Sequence, residues 1–267
     1  MGDQGPSSKS ARPTIDLMEG KLQGRTFTVY RTLFLLLGRV VLRMKIHGID
    51  NIPEHGAVIV VSNHLHNADP VLISVACTRP VHYMAKKELM GIPVLGRVVR
   101  FAGAFPVDRG KADRRAIQIA MEHLDQGIAV GMFPEGTRSV SRKIERVLPG
   151  AGLIALKGNA PILPVAIVGS ERLPFNGSKQ LKHGATRRRW GVTITFGEQF
   201  VLELKADGTR MSSAEAIDVA MARVAAMLPE EYRGIYGDKP SPQGDVVIPT
   251  KEESLKFVEN ADDGSST

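Results

Sequence analysis

The segment Ser62 to Pro70 reads S-N-H-L-H-N-A-D-P and sets His64 five positions ahead of Asp69. An aspartate bound to one imidazole nitrogen fixes the tautomer, stabilises the ring once it is protonated and leaves the other nitrogen to take a proton. That is a general-base pair. No G-x-S-x-G nucleophile pattern accompanies it, so a hydroxyl brought by a substrate would fill the place of a protein nucleophile. On one continuous helix the two side chains would stand about 140° apart and could not meet. Asp69 followed by Pro70 instead predicts a helix start, with Asp at the N-cap and Pro at the first helical position, and His64 in the loop before it. Two alternatives stay open. Asp69 could do no more than cap the helix, and His66 is as able as His64 to approach the carboxylate.

Two other segments carry groups suited to a phosphate. Gly103 to Arg109 reads G-A-F-P-V-D-R, and Phe133 to Ser139 reads F-P-E-G-T-R-S. Gly136 permits close backbone approach, Thr137 offers a hydroxyl, and Arg138 and Arg109 offer forked guanidinium donors matched to phosphate oxygens. For each pair taken alone, Asp108 with Arg109 and Glu135 with Arg138, a structural ion pair is the competing reading. Lys86, Lys87, Lys111, Arg114 and Arg115 read as a solvated face, and Arg187, Arg188 and Arg189 as facing water or lipid headgroups.

The elements that must position these groups alternate. The apolar runs Ala57–Ser62, Val81–Ala85, Ala104–Val107, Ile128–Phe133, Ile162–Val168 and Val192–Phe196 predict strands. Between and after them, Pro70–Cys77, Pro93–Phe101, Lys111–Leu124, Gly150–Lys157 and Ser213–Leu228 predict helices, the last capped by Ser212 or Ser213. The expected fold is α/β: a mixed, largely parallel sheet flanked by helices, with an N-terminal amphipathic helical segment. Both His64 and the F-P-E-G-T-R-S segment would then follow strands directly, where open α/β sheets bind ligands. The expected division is a disordered N-terminus over 1–25, a membrane-interface helical segment over 26–50, an α/β domain over 51–237 and a flexible acidic tail over 238–267.

Thr26 to Ile46 predicts a long helix with Arg31, Arg39 and Arg43 within about 120° of one another. Leu33, Leu37, Val40, Val41 and Met44 cluster opposite, the layout of an interfacial helix; the competing reading packs that apolar side on the core. Its strongest apolar run, Leu33 to Leu42, is too short to span a bilayer and contains Arg39. A net charge of +7 and a pI near 9.6 favour an anionic partner. The tail contributes three lysines against seven acids, so the rest of the chain is more basic than the whole. Aromatic residues make up only 5%, which argues against a stacking surface for nucleic acid. The single cysteine, Cys77, reads as a buried inert thiol. The seven histidines and one cysteine have no metal-ligand spacing, so no metal is expected.

Taken together, these segments resemble the glycerophospholipid acyltransferase family, which contains the bacterial 1-acylglycerol-3-phosphate acyltransferases. N-H-L-H-N-A-D-P matches the family's N-H-x-x-x-x-D block, G-A-F-P-V-D-R its second block, and F-P-E-G-T-R-S its third in every residue; I-L-P-V-A-I at Ile162–Ile167 matches the proline-centred fourth. The resemblance runs from about Thr26 to Gly237. It implies His64 as base supported by Asp69, with Arg109, Glu135, Gly136, Thr137 and Arg138 at acceptor-phosphate positions and Pro164 in a block tied to the fold and the acyl side of the pocket. Many members carry Ser where this chain has His66. The implied reaction moves a fatty acyl group from an acyl-CoA or acyl carrier protein thioester to 1-acylglycerol 3-phosphate, giving phosphatidic acid, with no cofactor beyond the thioester. The implied partners are an anionic membrane surface, the lysophospholipid, the thioester and acyl carrier protein, with the chain peripheral or monotopic on the cytoplasmic face. Rival readings are another acceptor, such as glycerol 3-phosphate or a different lysolipid, a non-catalytic membrane-binding protein with a relic site, and a lipid hydrolase.

Overall fold

The computed structural model describes residues 17–86, 105–107, 114–174, 176, 191–202 and 208–237. Seven strands form one sheet: β1 (Lys45–His47), β2 (Val58–Ser62), β3 (Val81–Lys86), β4 (Phe105–Val107), β5 (Ala129–Met132), β6 (Ile162–Val168) and β7 (Thr193–Phe196), in the order β1-β7-β6-β2-β5-β3-β4. Neighbours pair in parallel except β6 with β7, so β1 and β7 run against the other five. The sheet is mixed and largely parallel. β2 lies at its centre with every residue of V-I-V-V-S buried, as expected for a parallel strand covered on both faces.

The helices are α1 (Leu17–Val41), α2 (Asp69–Ala76), α3 (Arg114–Asp125), α4 (Pro149–Lys157), α5 (Ser213–Ala226) and the single turn α6 (Glu230–Arg233). From β2 the chain crosses to β3 on one side, whereas from β5 it crosses past β2 to β6 on the other. Right-handed crossovers in opposite directions put α2 on one face and α3 and α4 on the other. The order reverses beside β2 and β5. Their carboxyl ends therefore flank a topological switch point, where such sheets leave a crevice.

α4 and α5 pack closely because Gly152 has no side chain; a Cβ there would stand 1.7 Å from the Ser213 carbonyl oxygen. Ser212 is the cap of α5, in a reciprocal capping box with Glu215. Pro164 sits in a central strand without breaking it. Its register partner on β2 is Val61, while β7 pairing begins only at Val165 and Phe196, and the Pro164 carbonyl accepts from Gly197 N–H (2.8 Å). The missing proline N–H thus falls where the β7 ladder has ended.

The N-terminal region departs from expectation. The helix begins at Leu17, inside the stretch expected to be irregular, and stops at Val41 rather than Ile46. Arg43 takes a positive φ of 48°, the Leu42 and Met44 N–H groups both return to the Gly38 carbonyl, and Lys45–His47 becomes edge strand β1 against β7. Backbone pairing to β7 outweighs the local apolar pattern. Met44, expected on the outer apolar side, is a core residue at 5% exposure. The helix expected over Pro93–Phe101 and the tail 238–267 lie outside the described residues.

Candidate active site

β2 ends at Ser62, and the next residue extends its ladder with a side chain. Asn63 Nδ2 donates to the Ile167 carbonyl (2.9 Å) and its Oδ1 accepts from Ile167 N–H (2.9 Å). A buried amide copying a strand's paired groups fixes where the following loop leaves the sheet. The loop then winds around Asp69. One carboxylate oxygen, Oδ2, accepts from Leu65 N–H (2.6 Å), His66 N–H (2.7 Å) and His64 Nδ1 (2.9 Å). The two successive N–H groups form a small anion nest. Asp69 is fully buried, and its Oδ1 has no hydrogen-bond partner among the described residues.

This corrects the helix start. The N-cap is Ala68, with Asp69 the first helical residue and Pro70 the second; no side chain caps α2. The Asp69 carboxylate turns back to the loop because three donors converge on it there. With Nδ1–H given to Asp69, the His64 Nε2 carries the free lone pair of a general base.

His66 is excluded from that role by its own bonds. Its Nδ1 accepts from Ala68 N–H (3.0 Å), so the proton sits on Nε2, which donates to the Pro174 carbonyl (3.1 Å). Neither nitrogen is left to take a proton. Burial lowers the pKa of this imidazole, outweighing the pull of Asp69.

The F-P-E-G-T-R-S segment, leaving the end of β5, holds His64 from three sides. Glu135 Oε1 accepts from His64 N–H (2.8 Å), Ser139 N–H donates to the His64 carbonyl (2.8 Å), and the Phe133 ring stacks on the imidazole with centroids 4.2 Å apart. Tyr83 of β3 stacks behind Phe133 at 5.4 Å. Base and acceptor segments are therefore one construction. Glu135, expected at an acceptor position, is 4% exposed and bound to the base's backbone. Burial raises its carboxyl to about 8, against the opposing effect of the His64 N–H bond.

Gly136 has φ +66°, and a Cβ there would lie 2.4 Å from Leu148 Cδ1, so the tight turn needs glycine. Thr137 is half-buried, with no hydroxyl partner among the described residues. The competing reading, a Glu135–Arg138 ion pair, is not what forms; Arg138 turns to Asn176, donating from Nη1 to its backbone carbonyl and to its Oδ1 (2.7 Å). Arg109 and Asp108 lie outside the described residues, as do Arg187, Arg188 and Arg189.

The sequence reading missed Asn63, Phe133 and Asn176 as parts of this site. An asparagine closing an all-apolar buried strand was a usable signal for the first, since a buried amide needs partners. Nothing local marked Asn176.

A parallel-rich sheet with a buried, hydrogen-bonded His–Asp pair at its switch point is the arrangement of a general-base group-transfer site. Residues 43–168 match the family model described as Acyltransferase. The chain belongs to this acyltransferase family. It is 33% identical over 143 residues to the 1-acyl-sn-glycerol-3-phosphate acyltransferase of Bacillus subtilis (strain 168), a match covering 53% of this chain and 68% of that protein. It is 33% identical over 173 residues to a probable 1-acyl-sn-glycerol-3-phosphate acyltransferase of Mycoplasma pneumoniae, covering 62% and 64%. Against the Escherichia coli (strain K12) 1-acyl-sn-glycerol-3-phosphate acyltransferase it is 32% identical over 117 residues, covering 43% and 48%. The matched segment thus spans about half to two thirds of these relatives. The crystal structure of the 1-acyl-sn-glycerophosphate acyltransferase PlsC from Thermotoga maritima shares the fold, with a TM-score of 0.54 at 24% identity, covering 80% of this chain and 84% of that one.

Proposed function

We propose that this chain transfers a fatty acyl group from an acyl-CoA or acyl carrier protein thioester to the free hydroxyl of 1-acylglycerol 3-phosphate, giving phosphatidic acid. The observation that carries the reading is the His64–Asp69 pair, bonded through Nδ1 and buried, with no nucleophilic side chain bonded to the imidazole among the described residues. His64 Nε2 takes the acceptor hydroxyl's proton as that oxygen attacks the thioester carbonyl. The tetrahedral oxyanion collapses, the C–S bond breaks, and the thiolate leaves with the proton held on Nε2. Asp69 keeps its bond to Nδ1 throughout and stabilises the imidazolium. General-base assistance supplies about 10² to 10⁴ in rate, and positioning of the two substrates supplies much of the rest. Arg138 and Thr137, joined by Arg109, bind the acceptor phosphate, and the names of the relatives support this acceptor.

The reaction runs at a lipid surface, because both the acceptor and the acyl chain partition into a bilayer. No helix among the described residues is long and apolar enough to cross one. Peripheral attachment through α1 fits its exposed apolar side, and a cytosolic thioester donor would favour the cytoplasmic face. The test is an acceptor panel: purified full-length protein, labelled oleoyl-CoA or oleoyl carrier protein, and separate lysolipids or glycerol 3-phosphate, with products read by mass spectrometry. Lysophosphatidate is expected to be the best acceptor by kcat/KM. Preference for an acceptor lacking a phosphate monoester would overturn the assignment.

A further inference from the structure

We propose that Asn176 is a positioning residue that selects which edge of Arg138 meets the acceptor phosphate and locks that edge to the loop carrying the general base. The inference rests on the phosphorylated-acceptor reading above. Asn176 is 1% exposed and stands beyond the 3₁₀ turn Ser170–Arg172, outside every segment whose residue types suggested chemistry. Its side-chain bonds point two ways. Nδ2 donates to the Leu65 carbonyl (2.9 Å), while Oδ1 accepts from Arg138 Nη1 (2.7 Å) and from Asn67 N–H (3.3 Å). Its backbone carbonyl accepts from the same Nη1. Leu65 and Asn67 lie between His64 and Asp69, so one buried amide grips the base loop and the guanidinium together.

The consequence lies in guanidinium geometry. Arg has five N–H donors in a rigid planar fork. Two acceptors on Asn176 occupy the two hydrogens of Nη1. Nε–H and the Nη2 hydrogens are left, and these have no partner among the described residues. Nε–H and the nearer Nη2–H point in parallel, the arrangement that meets two oxygens of one phosphate. Released from Asn176, the side chain could rotate and offer any edge; held at Nη1 it offers this one. Asn176 does not touch the substrate and acts through Arg138. An aspartate here would keep Oδ1 but set a negative charge against the guanidinium, in competition with the phosphate.

Steady-state kinetics on the full-length protein in mixed micelles, with 1-oleoylglycerol 3-phosphate and oleoyl-CoA varied separately, test this. Asn176→Ala is expected to raise the acceptor KM by about tenfold, the equivalent of one lost charge-assisted contact, with the donor KM within about twofold. Asn176→Asp should raise it at least as far. In an Arg138→Ala background, Asn176→Ala should add less than about twofold, because both changes remove one interaction. Circular dichroism checks folding, and where the alanine variant fails that check the near-isosteric Asn176→Asp carries the comparison. An unmoved acceptor KM, an equal rise for both substrates, or full additivity with Arg138→Ala would overturn the inference while leaving the function intact. A wild-type protein inactive on every phosphorylated acceptor would instead overturn the reading beneath it.

Discussion

At the scale of single residues, the two imidazoles of N-H-L-H-N-A-D are separated by their partners. His64 gives one nitrogen to Asp69, whereas both nitrogens of His66 are committed to Ala68 and Pro174. His64→Ala should therefore lower turnover by about 10²-fold or more, with far-UV circular dichroism unchanged. His66→Ala should cost much less, through loop order alone; the opposite ranking would transfer the base to His66. Glu135 gives a second expectation. Its folded carboxyl titrates at about 8 rather than 4.5, so the folded chain keeps a proton that the unfolded chain has lost. Stability from this group is complete below pH 4.5 and declines as pH rises through about 8. Glu135→Gln keeps an acceptor for His64 N–H and removes the titration. Urea midpoints for this variant should vary less with pH across that window than those of the wild type, and parallel pH profiles would rule the titration out.

At the scale of elements, α1 has two working sides. Arg31 donates from Nε to the Cys77 carbonyl (2.6 Å) and from Nη2 to that of Ala76 (3.4 Å), so it docks on the carboxyl end of α2 and does not face lipid headgroups as its wheel position suggested. A cation there also complements the helix dipole of α2. Leu35 and Gly38 share that side. The opposite side exposes Val29, Leu33, Phe34, Leu36, Leu37, Val40 and Val41, with Val40 72% and Leu33 61% accessible. An apolar stripe of that extent needs a cover, and a bilayer interface suits it. A Leu33→Glu, Leu37→Glu, Val40→Glu variant should remain folded yet fail to float with anionic vesicles. Continued flotation with normal activity would remove α1 as the anchor. Arg31→Ala should destabilise the protein by about 1.5–3 kcal/mol, the range for bonds from a charged donor, measured by urea unfolding.

Across the whole molecule, the site draws on segments far apart in sequence that meet only when the central strands are assembled. Asn63 is bonded to Ile167 on β6, His64 to Glu135 and Ser139 beyond β5, and Leu65 to Asn176. The turn that joins His64 to Asp69 is local, but its setting against Ile167, Glu135 and Asn176 cannot form from local chain alone. Activity and far-UV circular dichroism should therefore be lost at the same urea concentration. Activity lost well before the backbone signal would mean the site opens as a separate unit. The net charge of +7 acts at this scale too. Vesicle binding should weaken as salt rises and should favour anionic over neutral lipid, at about 1 kcal/mol for each basic group near the surface.

Local pattern determined much of this protein. Continuous apolar runs marked β2, β5 and β6 to within a residue or two, because a strand buried on both faces has little choice of residue type. The acidic residue before Pro70 marked the start of α2 to within one position, and the His64–Asp69 pair was legible because its residue types and spacing suit a hydrogen-bonded pair. Tertiary structure decided the rest. Which imidazole keeps a nitrogen without a partner among the described residues depended on a carbonyl at Pro174, more than a hundred residues from His66. Glu135 became a support for His64 because the β5 loop crosses the β2 loop, a consequence of strand order that no local window contains. Met44 left the expected helix for the core, and Arg43–Ile46 left it for a turn and edge strand, because β7 offered backbone partners there. Hydrogen bonds join groups that topology brings together, and strand order is set by the burial of the whole sheet rather than by any one segment.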